Sequence, residues 1–248
     1  MNTPNTPRKT ALVTGASRGI GAAIARRLAA DGFTVVVNYA GASAEADALV
    51  EEIEQAGGRA VAAQADVSDP AAVARLFDGA EAAFGGVDVL VNNAGIMRLA
   101  TLAESDDALF DSQVAINLKG SFNTLREAAR RLRDGGRIVN LSSSVVGLTP
   151  PTYGVYAATK AAVEAMTPIL ARELRGRNIT VNAIAPGPTA TRLFLDGKPQ
   201  DVIERLARQA PLERLGQPED IAAAVAFLAG PDGAWINAQV LRANGGIV

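Results

Sequence analysis

The chain has no cysteine and no histidine among its 248 residues. Without cysteine there is no disulfide, no thiolate nucleophile and no thiolate-ligated zinc or iron–sulfur centre. Without histidine, a Ser-His-Asp triad and a His-x-x-x-His metal helix are both excluded, and no metal ligand set is expected. Acid/base chemistry near neutral pH is left to Lys, Tyr, Asp or Glu with displaced pKa values. No apolar run approaches the roughly 18 to 20 residues of a membrane span. The polar start, Met1 to Thr10, lacks the apolar core of a signal segment, so a cytoplasmic protein is expected. Nor is there a basic stripe: 24 basic and 26 acidic side chains are interleaved, for a net charge of −2, which argues against nucleic acid as a partner. What is abundant is apolar: 48% of residues are hydrophobic and 20% charged, enough to bury a large core.

Seven short runs rich in β-branched residues read as strands: Thr10–Thr14, Thr34–Asn38, Ala60–Ala65, Val87–Asn92, Arg137–Ser142, Thr180–Ala185 and Gln239–Ala243. Several are apolar almost throughout, as parallel strands covered on both faces require. Amphipathic helices alternate with them. Ala46, Leu49, Val50 and Ile53 share one helical face. Asp69-Pro70 is a cap followed by a first-turn proline, and Pro218 opens another helix. Unbroken alternation over residues 1–248 predicts one α/β domain, a three-layer doubly wound parallel sheet. Two segments stand out. Residues 188–216, with a helix expected over 202–208, are inserted after the carboxyl end of the sixth strand, where open α/β sheets bind ligands, and are read as a substrate lid. Pro168 falls inside the helix after the fifth strand and is expected to kink it or end its first half.

The first strand runs into Thr14-Gly15-Ala16-Ser17-Arg18-Gly19-Ile20-Gly21 and then a helix. Glycines at 15, 19 and 21 allow a tight turn and close approach of backbone to a pyrophosphate at the helix N-terminus, with Ser17 and Ile20 alongside. A carboxylate at the end of the second strand would hydrogen-bond the ribose hydroxyls of NAD and repel a 2′-phosphate. Here the strand ends Val37-Asn38-Tyr39-Ala40, and Arg18 offers a planar cation instead; this favours NADP(H), with NAD(H) as the alternative. Asp66-Val67 closes the third strand where an adenine would lie. Asn93-Ala94-Gly95 closes the fourth with small residues that let a flat ring approach. Either pair is also ordinary turn chemistry.

Tyr156 and Lys160 are four residues apart, so they stack on one helical face. A lysine beside a phenol favours the ionised form and makes it a general acid/base. Ser143 precedes Tyr156 by thirteen positions within Ser142-Ser143-Ser144, which leaves Ser144 as a second candidate.

Together these motifs resemble the short-chain dehydrogenase/reductase family, close in pattern to its 3-oxoacyl-carrier-protein reductases. The resemblance runs over nearly the whole chain: Thr14–Gly21, Asn92–Gly95, Asn117 in Ile-Asn-Leu-Lys, Ser143, Tyr156-x-x-x-Lys160 and Pro186-Gly187. It implies NAD(P)-dependent hydride transfer between a nicotinamide and a small-molecule carbonyl or alcohol. A homodimer or homotetramer is implied too, with an acyl-carrier protein as a further partner. The family's tetrad maps to Asn117, Ser143, Tyr156 and Lys160. Tyr156 would protonate the carbonyl oxygen, Ser143 would hydrogen-bond it, and Lys160 would hold the ribose and depress the tyrosine pKa. Asn117 would anchor a water leading from Lys160 to solvent. Pro186, Gly187, Thr189 and Thr191 would reach the nicotinamide amide or phosphate. An NAD-dependent alcohol or sugar dehydrogenase and a non-catalytic dinucleotide sensor stand as alternatives. For a carrier-protein partner the basic candidates are Arg98, Arg192 and Lys198; Leu193, Phe194 and Leu195 suggest an apolar ligand.

Overall fold

The computed structural model describes residues 8–248, and most of the polar start read above for a signal segment lies outside them. The strands are β1 Thr10–Val13, β2 Thr34–Tyr39, β3 Arg59–Gln64, β4 Val89–Asn92, β5 Arg137–Leu141, β6 Thr180–Pro186 and β7 Val240–Ala243. They form one sheet in the order β3-β2-β1-β4-β5-β6-β7, every neighbouring pair parallel. β1, β4, β5 and β6 are buried along their whole length, which is why their sequences read as continuous apolar runs rather than alternating ones.

Helices α1 Gly19–Ala30, α2 Ser43–Gln55 and α3 Pro70–Phe84 connect the first strands. After β4 come α4 Asp107–Gln113, a π-helical turn Val114–Gly120 and α5 Ser121–Arg131; after β5, α6 Val145–Leu148 and α7 Gly154–Glu173; after β6, α8 Arg192–Leu195, α9 Gln200–Gln209 and α10 Pro218–Ala229. One apolar layer packs Ile24 and Leu28 of α1, Leu49 and Ile53 of α2, and Ile221, Val225 and Leu228 of α10 onto Val13, Val35 and Val139. The opposite layer packs Val73 and Phe77 of α3, Leu125 of α5 and Leu170 of α7 onto Leu12, Leu90 and Ile138. The result is the three-layer α/β domain expected. Its strand order reverses at β1 and β4, so the crevice at their carboxyl ends is the natural ligand position.

Local chemistry accounts for the boundaries. Asp69 accepts from Ala71 N at 2.8 Å with Pro70 in the first turn of α3, and Gln217 and Asp220 form a capping box at α10. The fourth strand begins at Val89, not Val87, because the Val87 carbonyl accepts from Arg133 N (3.0 Å) instead of a neighbouring strand. Pro168 does not end its helix: α7 runs unbroken from Gly154 to Glu173. Thr167 donates its hydroxyl to the Val163 carbonyl at 2.9 Å next to the proline, and Val163 and Leu170 are buried on either side of it. Among the described residues, no helix is long and apolar enough to cross a membrane.

Candidate active site

The crevice is built from loops at the carboxyl ends of β1, β4, β5 and β6. At β1, Gly15 and Gly19 take φ of +60° and +57°, which glycine alone adopts without strain. The turn also has no room for side chains. A Cβ on Gly15 would sit 2.8 Å from Ala94 Cα, and one on Gly21 would sit 2.5 Å from both Asn93 Nδ2 and the Gly15 carbonyl oxygen. Asn93 stitches the two loops together, donating to the Thr14 and Gly15 carbonyls at 2.9 Å each, while Thr14 Oγ1 accepts from Asn93 N and Ala94 N at 3.0 Å. The N-terminus of α1 has no side-chain cap and no acid in its first turn. Its first N–H groups and partial positive charge therefore suit an anion. Arg18 stands exposed at its N-cap.

Asn38, expected at the cofactor, is buried and braces the turn. Its amide donates to the Ala63 and Ala65 carbonyls at 3.2 and 3.0 Å, and Oδ1 accepts from Gly15 N at 3.3 Å. Asp66 is exposed and closes a turn, accepting from Ser68 N and Oγ at 2.8 Å; Val67 is buried against Gly120, whose Cβ would lie 2.6 Å from it.

A cavity of about 410 Å³ brings Ser143, Tyr156 and Lys160 together with Ile20, Asn93, Gly95, Pro186, Gly187, Thr189 and Thr191. Gly15, Ser17, Arg18, Gly19 and Gly21 form the turn beside it, and Ala94 lies behind. Most of the remaining lining is apolar, including Met97, Leu148, Pro150, Tyr153, Phe194 and Leu206. Lys160 is the one charged side chain lining it among the described residues.

The three serines separate by their partners. Ser142 donates to Glu164 Oε1 at 2.6 Å. Ser144 donates to the Ala185 carbonyl at 3.1 Å and accepts from Asn244 Nδ2 at 3.0 Å. Ser143 accepts only a long bond from Val145 N, 3.4 Å, and its hydroxyl faces Tyr156, whose pKa it pulls down. Burial is the larger effect and pushes the Tyr156 phenol up to about 12. Tyr153 meets it edge-on, with ring centroids 6.4 Å apart. Lys160 is 5% exposed, donates to the Leu141 carbonyl at 2.8 Å and lies 5.8 Å from the Tyr156 ring centroid. Desolvation lowers its pKa to about 8. In the protein alone, then, the lysine does not depress the tyrosine pKa: burial dominates both groups.

Asn117 lies in the π-helical turn and is wholly buried. Its amide makes three bonds, accepting from Ile96 N at 2.8 Å and donating to the Ile96 carbonyl at 2.9 Å and Thr159 Oγ1 at 3.2 Å. These bonds fix the Gly95–Ile96 backbone, and a Cβ on Gly95 would be 3.2 Å from Asn117 Oδ1 and 3.6 Å from Lys160 Nζ.

The 188–216 segment is closed at its base. Gly216 N donates to the Pro188 carbonyl at 2.9 Å and Ala190 N to the Gly216 carbonyl at 2.8 Å. The helix expected over 202–208 is α9, longer by two residues at its start and one at its end. Thr191 caps α8 and lies against the glycine turn, its methyl 3.5 Å from a Cβ built on Gly19. Leu206 and Gln209, within the segment read as a lid, line the cavity, and Ile247 completes it, a residue that sequence reasoning missed. None belongs to a motif, and only the reading of 188–216 as a lid pointed toward the first two.

Comparison with known proteins agrees with this geometry. Residues 15–248 match the family described as enoyl-(acyl carrier protein) reductase. A short-chain type dehydrogenase/reductase from Picea abies is 48% identical over 97% of this chain and 92% of its own length. An NADPH-dependent aldehyde reductase-like chloroplastic protein of Arabidopsis thaliana is 45% identical over 97% and 94%. Among solved structures, a short-chain dehydrogenase from Burkholderia cenocepacia in complex with NADP superposes with a TM-score of 0.91 at 44% identity, covering 96% of this chain and 97% of that one.

Proposed function

The chain belongs to the short-chain dehydrogenase/reductase family, and from that premise we propose that it is an NADPH-dependent reductase of aldehydes or ketones. The observation that carries the reading is the convergence of Ser143, Tyr156 and Lys160 on one apolar cavity beside the glycine turn. The residues present fit the dinucleotide: the turn excludes side chains where a pyrophosphate would lie, and no carboxylate ends β2 while Arg18 stands free for a 2′-phosphate.

NADPH, when bound, supplies the hydride. In this mechanism Ser143 Oγ donates a hydrogen bond to the substrate oxygen, where negative charge develops, and Tyr156 delivers the proton. A phenol held near 12 is protonated at neutral pH and so can act as the acid of the reductive direction, the same group serving as the base in the reverse reaction. Lowering it toward 7 takes roughly 7 kcal/mol, far beyond the 0.2–1 kcal/mol of an exposed ion pair. Lys160 contributes that much only as an ammonium in a site shut from water, the condition that the 188–216 lid supplies. Asn117 holds the backbone behind Lys160 in place.

A small free carbonyl fits better than a carrier-protein thioester. Lys198 is folded back onto the Phe194 ring and carbonyl, and Arg192 faces Glu45 at 3.9 Å, so two of the three basic candidates are engaged. A homodimer or homotetramer is supported by the exposed Phe110, Phe122 and Ile169 on α4, α5 and α7, and by Phe227, Trp235 and Val240 near the β7 edge.

The test is oxidation of NADPH and NADH with a panel of aldehydes, diketones and a 3-oxoacyl thioester. Turnover with NADPH that Tyr156→Phe reduces by about 10²–10⁴-fold supports the reading; turnover untouched by that change overturns it.

A further inference from the structure

We infer that residues Asn244–Val248 form a fixed wall of the substrate cavity and that Ile247 sets how large a group the site admits beside the reacting carbonyl. This rests on the carbonyl-reductase reading for its substrate, though not for its geometry. Ile247 lines the cavity with Ser144, Val145 and Leu148 of the serine loop and Leu206 and Gln209 of α9. A wall selects by size only if it cannot yield, and this one is pinned on three sides.

Asn244 makes the first attachment. Its amide donates to Ser144 Oγ and to the Val248 carbonyl, both at 3.0 Å, while Oδ1 accepts from Gly246 N at 3.0 Å. The segment is thus folded back on itself and tied to the residue next to Ser143. The second attachment is to the trailing end of the lid. Gly245 and Gly246 have φ of +67° and +89°, and Cβ atoms there would lie 3.2 Å from Ala210 Cβ and 3.1 Å from Pro211 Cγ. Leu212 N also donates to the Gly245 carbonyl at 3.3 Å. Two glycines are needed because the chain reverses in left-handed conformations against a surface with no spare room. The third attachment is steric. Gly187 offers no space for a side chain, its Cβ position being 2.8 Å from Asn244 Cα, and that of Gly147 is 3.0 Å from Val248 Cγ2. Ile247, β-branched and stiff at χ1, is held by this clasp between the serine loop and α9.

The experiment measures the ratio of kcat/KM for 2-naphthaldehyde and benzaldehyde in wild type, Ile247→Ala and Ile247→Phe. In parallel, the affinity ratio for 2-naphthalenemethanol and benzyl alcohol is measured by calorimetry in the presence of NADP+. Each methylene in an apolar pocket shifts discrimination about tenfold or more. Ile247→Ala is therefore expected to move both ratios at least tenfold toward the naphthyl ligand and Ile247→Phe to move them the other way, with NADP+ affinity unchanged. Ratios within twofold of wild type in both variants overturn the assignment. Absent turnover alongside shifted affinity ratios would overturn the reductase reading and leave the wall standing, so the two fail separately.

Discussion

Replacing Lys160 with methionine should stabilise the cofactor-free protein while removing its activity. Lys160 is 5% exposed and has no carboxylate partner; its pKa falls from 10.5 to about 8 through desolvation. At about 1.4 kcal/mol per tenfold, holding the charge at pH 7 costs about 3 kcal/mol. Methionine has similar bulk but loses the hydrogen bond to the Leu141 carbonyl, worth about 1 kcal/mol, so the net gain is about 2 kcal/mol. For a domain of this length that is roughly 4–8 °C in Tm. The sign with pH is a second, independent check. A folded pKa below the unfolded one means that the unfolded chain binds more protons between about 8 and 10.5, so wild-type stability rises across that window. Lys160→Met has no such group, and its advantage should shrink or reverse. Above pH 10 Tyr156 acts oppositely in both proteins. Its raised pKa keeps the folded phenol protonated while the unfolded one ionises, and stability falls. Melting curves at pH 7, 8, 9 and 10 without cofactor decide the matter. A variant that melts at or below wild type at pH 7, or a gap constant across the series, would refute the claim that desolvation governs Lys160.

Arg18→Ala should raise KM for NADPH about 10- to 100-fold, as expected for a lost charged hydrogen bond, and leave KM for NADH nearly unchanged; equal effects on both cofactors would remove Arg18 from the 2′-phosphate. Ser143→Ala should lower kcat about 10²–10³-fold with Tm nearly unchanged, whereas Ser142→Ala should act mainly through Tm, since it strips the Glu164 carboxylate of its hydroxyl partner. Gly21→Ala should abolish cofactor binding in a fluorescence titration, because the added methyl would stand 2.5 Å from the Gly15 carbonyl and Asn93 amide.

What could be read in advance and what could not divide along a physical line. The glycine turn and the Tyr156/Lys160 pair are local: chain stiffness and helical period place them, so their spacing alone carries the geometry. The strands were legible because burial on both faces forces apolar composition residue by residue. Buried amides are different, since an amide has several bonds to make and sequence does not say which backbone gap it will fill. Asn38 and Asn117 were read as ligand or water anchors; the fold shows that each also braces a neighbouring loop, Gly15 in one case and Ile96 in the other. The serine ambiguity had the same origin. It resolves through Glu164, 22 residues away, and Asn244, 100 residues away, neither of which any window around Ser143 contains. Pro168 does not end its helix because both halves are packed in the interior, where tertiary contacts outweigh a single lost backbone bond. Ile247 belongs with these long-range cases: nothing in Asn-Gly-Gly-Ile-Val marks it until the fold lays the segment across the serine loop. The reaction class of this chain is therefore written in short-range spacing. On the inference drawn for Ile247, selectivity rests on contacts between segments remote in sequence, and substitutions there should change which substrate is accepted without changing the chemistry.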